Sequence, residues 1–394
     1  MAADPGESAA AEDGRPVAAH VVGTWLRGTE NWIWDQIRFT RGWRPVVLAK
    51  HLEAPERFPG PRVHALSSLS TPAMLASRLV RWRTGVYPFY RRALRREGAA
   101  LLHAHFGHIG WQAMDLGREL GIPFIVSFYG VDMWQHRDGL PGLRANYARL
   151  FAAGAGFIAE GPDARDRLVE IGAPADRVFV HRLGIDPQQW TFHERRPEPG
   201  GPLRVLMAAR FVEKKGMEDG VEAFCRAAAV EPRLSLTVVG DARAAPDEHR
   251  IKARLHETVE RHGMTDRVRF LGFIPLAELD ELTRTHHLLM HPSVHAAGGD
   301  AEGGHPVVLT QAAATGMPLL GTRHCDIPEI VVDGETGWLV PEHDPDAIAA
   351  ALLDFAAHPE RLPEYGRRAR ALVEAKYDAR RETLDAVYGQ VMGR

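Results

Sequence analysis

Apolar and polar positions along the chain alternate between two textures. Short, continuous apolar runs recur through the first half as "HVVGTW", "PVVLAK", "LLHAHF", "PFIVSFYG", "GFIAEG" and "VFVHRLG". The second half repeats the texture as "LRVLMAAR", "SLTVVGD", "RVRFLGF", "HLLMHPS", "MPLLGTR" and "GWLVP". Between them lie longer stretches with helical spacing, such as "GWQAMDLGRELG", "ARDRLVEIG" and "MEDGVEAFCRAAAVEP". Strands apolar on both faces, alternating with helices, predict an α/β fold with parallel sheets covered on both sides. The alternation breaks once, at the polar, Pro- and Gly-rich "DPQQWTFHERRPEPGGP", residues 186–202. This predicts two doubly wound domains, 17–190 and 203–375, joined by a linker at 191–202. Residues 1–16 are expected to form a disordered tail. A helix within 376–394 is expected to pack back toward the first domain. Ligand loops should lie at the carboxyl ends of the strands, around a cleft between the domains.

Composition narrows the class. A chain of 394 residues exceeds one ordinary core. The hydrophobic share of 45%, the charged share of 25% and the net charge of -3 describe a globular protein and argue against nucleic acid as a partner. Only Cys225 and Cys325 are present, which fits a reduced compartment and excludes a disulfide scaffold. The acidic start, "MAADPGESAAAEDGRP", lacks the apolar core of a signal peptide, and no apolar run reaches spanning length. The expected location is cytoplasmic, at most touching the inner face of a membrane. The basic residues are 43 arginines and five lysines, yet Lys214 and Lys215 are adjacent. A compact ammonium on a flexible stem suits a phosphate oxygen.

Candidate chemistry sits in four stretches. In "GGDAEGGHPVVLTQAAATGMP", 298–318, Pro306 suits a helix start and Gly316 the residue past its end. The exposed amides of such a start attract phosphate. The plain alternative is a loop capped by Asp300 and flexed by Gly298, Gly299, Gly303 and Gly304. In "AARFVEKKGMEDG", Arg210 closes a strand and Lys214–Lys215 precede Gly216. Together they could hold a departing diphosphate; a solvated basic turn is the alternative. In "HAHFGH" and "SFYGVDMW", His103 and His105 share one strand face, which could line an acceptor site, bind a metal or simply pack. No metal is expected. Asp132 could orient a hydroxyl or cap a helix. Finally, 76–98 carries seven arginines against Glu97 alone, with Trp82, Tyr87, Phe89 and Tyr90 interleaved. That mixture suits an anionic membrane surface or lipid-linked acceptor. The alternative is a solvated face with its aromatics turned inward.

Taken in order, these pieces resemble the retaining nucleotide-sugar glycosyltransferases of family 4. "RGTENWIWDQI" resembles that family's first loop and helix. "LLHAHFG", "VSFYGVD" and "VHRLGID" resemble its acceptor-domain strands and the entry to the linker. "ARFVEKKG", "RVRFLGFIP" and "DAEGGHPVVLTQAAATGMPLLGTRHCDIPEIVVDGETGWLVPEHD" resemble its donor-domain signatures. The resemblance implies GT-B architecture, with two Rossmann-like domains facing a central cleft. It implies transfer of a hexose from UDP- or GDP-hexose to a hydroxyl of a glycan, lipid-linked or small-molecule acceptor, without a cofactor. Arg210, Lys215 and Glu302 take the catalytic positions. Gly28, Gly240, Gly272, Phe273, Ile274, Gly303, Gly304, His305 and Gln311 take the donor positions. His103, His105, Tyr129 and Asp132 take the acceptor or cleft positions. Arg210 and Lys215 are expected to face the cleft, so that removing them spares the fold, and Lys214 should matter less.

The sequence departs from the family pattern twice. Gln311 stands where a second acid usually binds the ribose, and Tyr129 where many relatives carry His. An amide offers one acceptor and one donor group, against the acceptor-only carboxylate. Tyr is a poor base at neutral pH. Two alternatives therefore stay open: a catalytically weak nucleotide-sugar-binding or partner subunit, and a GT-B-like sugar-nucleotide epimerase.

Overall fold

The structure is a computed structural model that describes residues 14–25, 31–53, 56, 58–134 and 143–393. The chain divides into two compact units. One comprises Met1–Leu183 with Ala379–Arg394, the other Gly184–Asp378.

The first unit is built on seven parallel strands: β1 (Val17–Trp25), β2 (Arg44–Leu52), β3 (Arg62–Ala65), β4 (Ala99–His105), β5 (Phe124–Ser127), β6 (Gly156–Ala159) and β7 (Val178–Val180). Their order is β3-β2-β1-β4-β5-β6-β7. Inner strands read as continuous apolar runs because both faces are covered. The helix Gly107–Leu120 shows the covering pattern. Ile109, Ala113, Met114 and Leu116 are buried, and Gly121 ends it at φ 66°. β3 was not legible as a strand, being short, polar and at the sheet edge. Its Arg62 and His64 bind the Glu97 carboxylate at 3.2 and 2.9 Å, and Arg44 of β2 joins them at 3.1 Å. Burial would raise the pKa of Glu97, but His64, Arg44 and Arg62 together lower it. The only acid of 76–98 thus ties a helix end to the sheet edge.

The second unit has six parallel strands: β8 (Leu203–Ala208), β9 (Leu234–Val239), β10 (Val268–Gly272), β11 (Leu288–His291), β12 (Leu319–Thr322) and β13 (Gly337–Val340). Their order, β10-β9-β8-β11-β12-β13, reverses direction between β8 and β11. Such a reversal leaves a crevice at the carboxyl ends of the two strands. Its core gathers Phe211, Phe224, Leu255 and Phe355.

The chain passes between units at Leu183/Gly184 and Asp378/Ala379, earlier than a linker at 191–202 would place it. The segment expected to link is fastened to the second unit. Arg195 is 3% exposed and donates to the carbonyls of Thr283 and Thr315, and Trp190 is buried. Ile185 pairs with Asp378, so the two passages run side by side. After Asp378 the chain belongs to the first unit. There the Asp385 carboxylate accepts the N–H groups of Arg41 and Gly42, and Tyr388 is fully buried beside Trp43.

Candidate functional site

In the second unit the loops after β8 and β11 meet at the reversal point. The Lys214 carbonyl accepts the N–H of Val294 at 2.8 Å. Gly216 makes this approach feasible. It sits at φ 58°, and a Cβ there would lie 1.8 Å from the Pro292 carbonyl oxygen. The two lysines then reach separate parts of the acidic loop. Lys214 Nζ donates to Asp300 Oδ1 at 3.2 Å and to the Ala301 carbonyl at 2.9 Å. Lys215 Nζ lies 2.6 Å from Glu302 Oε1, with both side chains largely buried. Ser293, just past β11, donates its hydroxyl to the same carboxylate oxygen at 3.0 Å. Burial alone would raise the pKa of Glu302; Lys215 and then Lys214 pull it down to about 2. Lys214 is therefore not an idle neighbour of Lys215, because it pins the loop that presents Glu302.

The Glu302 main chain is held as firmly as its side chain. Its N–H donates to His324 Nε2 at 3.1 Å, and its carbonyl accepts the Cys325 thiol at 3.2 Å. Since Nε2 accepts, the proton of His324 is on Nδ1, which donates to Glu342 Oε1 at 2.9 Å. The carboxylate of Glu342 also accepts the main-chain N–H of His295 at 2.7 Å. Burial would raise Glu342; the bonds from His324 and His295 hold it at about 2. Glu342 thus fixes the tautomer of a fully buried imidazole, and that imidazole fixes the acidic loop.

The other donor candidates distribute around the same strand ends. Arg210 follows β8, is 41% exposed, and has Nη2 3.8 Å from Glu248 Oε1. Gly240 follows β9 at φ 119°, where a Cβ would strike the Ala209 carbonyl, and its N–H donates to the Gly272 carbonyl at 2.8 Å. Phe273 is exposed beneath Arg243, while Ile274 packs on the core. The expected helix is Val307–Ala314, with Pro306 as its N-cap and Gly316 left-handed at φ 78° just beyond. Gly303 and Gly304 are buried in the loop feeding it. Gln311 is on its second turn, 7% exposed. His305 is turned inward: Nε2 meets Thr310 Oγ1 at 2.7 Å, and its ring abuts Tyr377. Gly28 lies outside the described residues.

In the first unit the acceptor candidates are more enclosed than the sequence suggested. His103 and His105 are 0% exposed and face His20 of β1, paired in register with His103. His103 spans Tyr388 Oη at 2.7 Å and Ser127 Oγ at 2.8 Å. His105 spans His20 Nδ1 at 3.1 Å and Tyr129 Oη at 2.6 Å. Ligand atoms of the three imidazoles lie within 4.8 Å of one another; both nitrogens of His103 and of His105 and Nδ1 of His20 are already hydrogen-bonded, whereas His20 Nε2 is buried without a hydrogen-bond partner among the described residues. Burial lowers the pKa of all three, so they are neutral at pH 7. The Tyr129 hydroxyl points inward at His105, and burial raises its pKa further. Asp132 accepts the N–H groups of Gly107 at 2.6 Å and Tyr129 at 2.9 Å, bracing two loops at strand ends.

Residues 188–372 match the profile of glycosyl transferases group 1, and residues 29–189 that of glycosyltransferase family 4. An amylovoran biosynthesis glycosyltransferase of Erwinia amylovora is 31% identical over 284 residues, 71% of this chain and 67% of that protein. The chain belongs to the group 1 glycosyltransferases. A Salmonella typhimurium relative assigned to colanic acid biosynthesis is 34% identical over 259 residues, 64% of this chain and 60% of the relative. The chain thus spans about 60% of that relative's length. Among solved structures, Anabaena HepE in complex with UDP and glucose superposes with TM-score 0.75 and 16% identity, covering 96% of this chain and 100% of that one. A Thermosynechococcus elongatus sucrose-phosphate synthase gives TM-score 0.74 and 18% identity, covering 96% and 100%. The fold is GT-B, with two Rossmann-like domains.

Among the contributors to this chain's two polar clusters, Ser293, His324, Glu342 and His20 were not found from sequence, nor were Ser127 and Tyr388. Cys325 sits at φ 43°, strained for a side chain with a Cβ, immediately after the buried histidine.

Proposed function

We propose that this chain transfers a hexose from a nucleoside diphosphate-sugar to an acceptor hydroxyl with retention of anomeric configuration. The observation that carries the reading is the convergence of Lys215 and Glu302 at 2.6 Å on the β8/β11 reversal point. A buried carboxylate held ionised beside an ammonium is a preorganised charge pair, fit to meet a sugar hydroxyl and a phosphate oxygen. In the proposed step the bond from the anomeric carbon to the β-phosphate oxygen breaks, and the acceptor oxygen bonds that carbon from the same face. The acceptor proton goes to the departing phosphate oxygen. Arg210 and Lys215 stabilise the charge that grows on the diphosphate. The neutral, inward-bonded Tyr129 and His105 are not assigned a proton-transfer role. Relatives named for amylovoran and colanic acid biosynthesis support a polysaccharide-type acceptor. The HepE complex with UDP and glucose makes UDP-hexose the first donor to test. Incubation with UDP- and GDP-hexoses, followed by NMR of the product's anomeric proton, tests the reading. An inverted linkage refutes retention, and interconversion of the free donor sugar without transfer points to the epimerase.

Gln311 gives a second test. In the unliganded protein, Gln311→Glu buries a carboxylate and should lower Tm. Uridine or guanosine diphosphate should then bind as well as to the parent, or up to about 1.5 kcal/mol tighter, because a charged acceptor meets two ribose hydroxyls. Thymidine diphosphate lacks the 2′-hydroxyl and should bind more weakly than to the parent. Calorimetric titration reads all three. Unchanged affinities throughout would remove Gln311 from the ribose site.

A further inference from the structure

Among the described residues, nine large apolar side chains are exposed, and four of them crowd onto one helix, Thr71–Thr84. Leu75 is 57% exposed, Leu79 67%, Val80 39% and Trp82 83%. The helix buries only Ser77; Met74 and Arg81 are half-buried beside it. Those three define the face that rests on the unit. Arg81 lies over the Tyr87 ring at 4.8 Å and reaches Gln112 at 3.4 Å. Leu75, Leu79 and Trp82 share a second stripe, about 140° round the helix from the first. Arg78 and Arg83 flank that stripe, each about 70° to one side. The helix carries three arginines and no acid.

The basic, aromatic-rich segment now resolves into two parts. In the following helix, Pro88–Glu97, Tyr90 is buried, and Tyr87 and Phe89 pack on the core, as the inward alternative had it. Trp82 does the opposite. Arg92 and Arg95 of that helix are exposed.

From this geometry we infer that helix Thr71–Thr84 docks the first unit onto an anionic lipid surface. Leu75, Leu79 and Trp82 enter the headgroup–acyl boundary, while Arg78 and Arg83 sit at the level of the lipid phosphates. An indole with one apolar and one polar edge suits that boundary, and arginine stems let the charge stay in the headgroup layer. Charge selects the occupant. A second copy of this chain packed helix against helix would oppose Arg78 and Arg83 with arginines and offer no acid from the helix itself, whereas anionic headgroups supply the missing charge. No helix among the described residues is long and apolar enough to cross a membrane, so the contact is a surface one. The inference goes beyond the transferase reading and does not depend on it.

Flotation of the purified full chain with vesicles tests it without donor or acceptor. Vesicles of phosphatidylcholine mixed in equal parts with phosphatidylglycerol should carry the protein upward, and phosphatidylcholine alone should carry far less. The triple variant Leu75→Ser, Leu79→Ser, Trp82→Ser should lower recovery about tenfold or more, since three apolar side chains no longer enter the boundary. Arg78→Glu with Arg83→Glu should lower it comparably, and Trp82→Phe should retain most of it. Thermal melts of all variants should match the parent, because these side chains face solvent; were the triple variant to melt early, the arginine pair decides. Equal recovery on neutral and anionic vesicles, parent-like recovery of the arginine pair, or no recovery of the parent would overturn the inference. So would a parent dimer that becomes monomeric in the stripe variant without lipid.

Discussion

Lys215→Met is expected to slow glycosyl transfer by about 100-fold or more, as when one preorganised charge partner of a developing anion is removed. The same change should also destabilise the protein, contrary to the expectation that Lys215 could be removed without cost to the fold. Its Nζ is 2.6 Å from a Glu302 carboxylate in a largely buried pair. Removing one partner leaves a buried, uncompensated charge, at a cost of about 3 kcal/mol. Lys215→Met with Glu302→Gln should recover most of that stability, since the orphaned charge is gone, and none of the activity. Denaturant melts read the first effect and donor turnover the second. The pH dependence has a definite sign. Glu302 is depressed to about 2 from an ordinary 4.5, so it stabilises the parent above pH 4.5 and progressively less as pH falls toward 2. The gap between parent and Lys215→Met should therefore narrow as pH falls through that window. A gap that widens there would contradict the ion-pair account.

Arg210→Ala should show the opposite balance. A loss in turnover of about 100-fold is expected, again from an absent cation at the leaving diphosphate. Stability should hardly change, because the guanidinium is 41% exposed and the ion contact it makes among the described residues, to Glu248, is a long 3.8 Å. The two variants together separate charge on the leaving group from charge that holds the loop. Parent-like turnover in Arg210→Ala would remove it from the site.

Both sheets were legible because their inner strands are continuous apolar runs, a pattern that survives any detail of packing. β3 was not, because its four residues are an edge strand whose Arg62 and His64 are chosen to meet Glu97, not to be buried. The polar stretch 191–202 reads as a linker because it looks unattached until Arg195 is seen donating into the second unit, whose division from the first falls at 183/184. The acidic loop could be picked out by its glycines and its resemblance to a family. Its supports could not. His324 and Glu342 act through a tautomer, between residues 22 and 40 positions away from Glu302 in the chain, and nothing in "RHC" or "VPEHD" announces that bond. Likewise His103 and His105 displayed a shared strand face. Only the β1–β4 pairing reveals that His20 closes over it, turning an apparent acceptor surface into core.

On the proposed reading, the carboxyl ends of β8 and β11 bind and activate a nucleotide-sugar. Release of nucleoside diphosphate tests it most directly, with UDP- and GDP-hexoses offered in turn to the parent and to Arg210→Ala. Release from at least one donor by the parent is expected, at a rate lower by about 100-fold in the variant. No release from any donor, or equal rates in the two proteins, would contradict it.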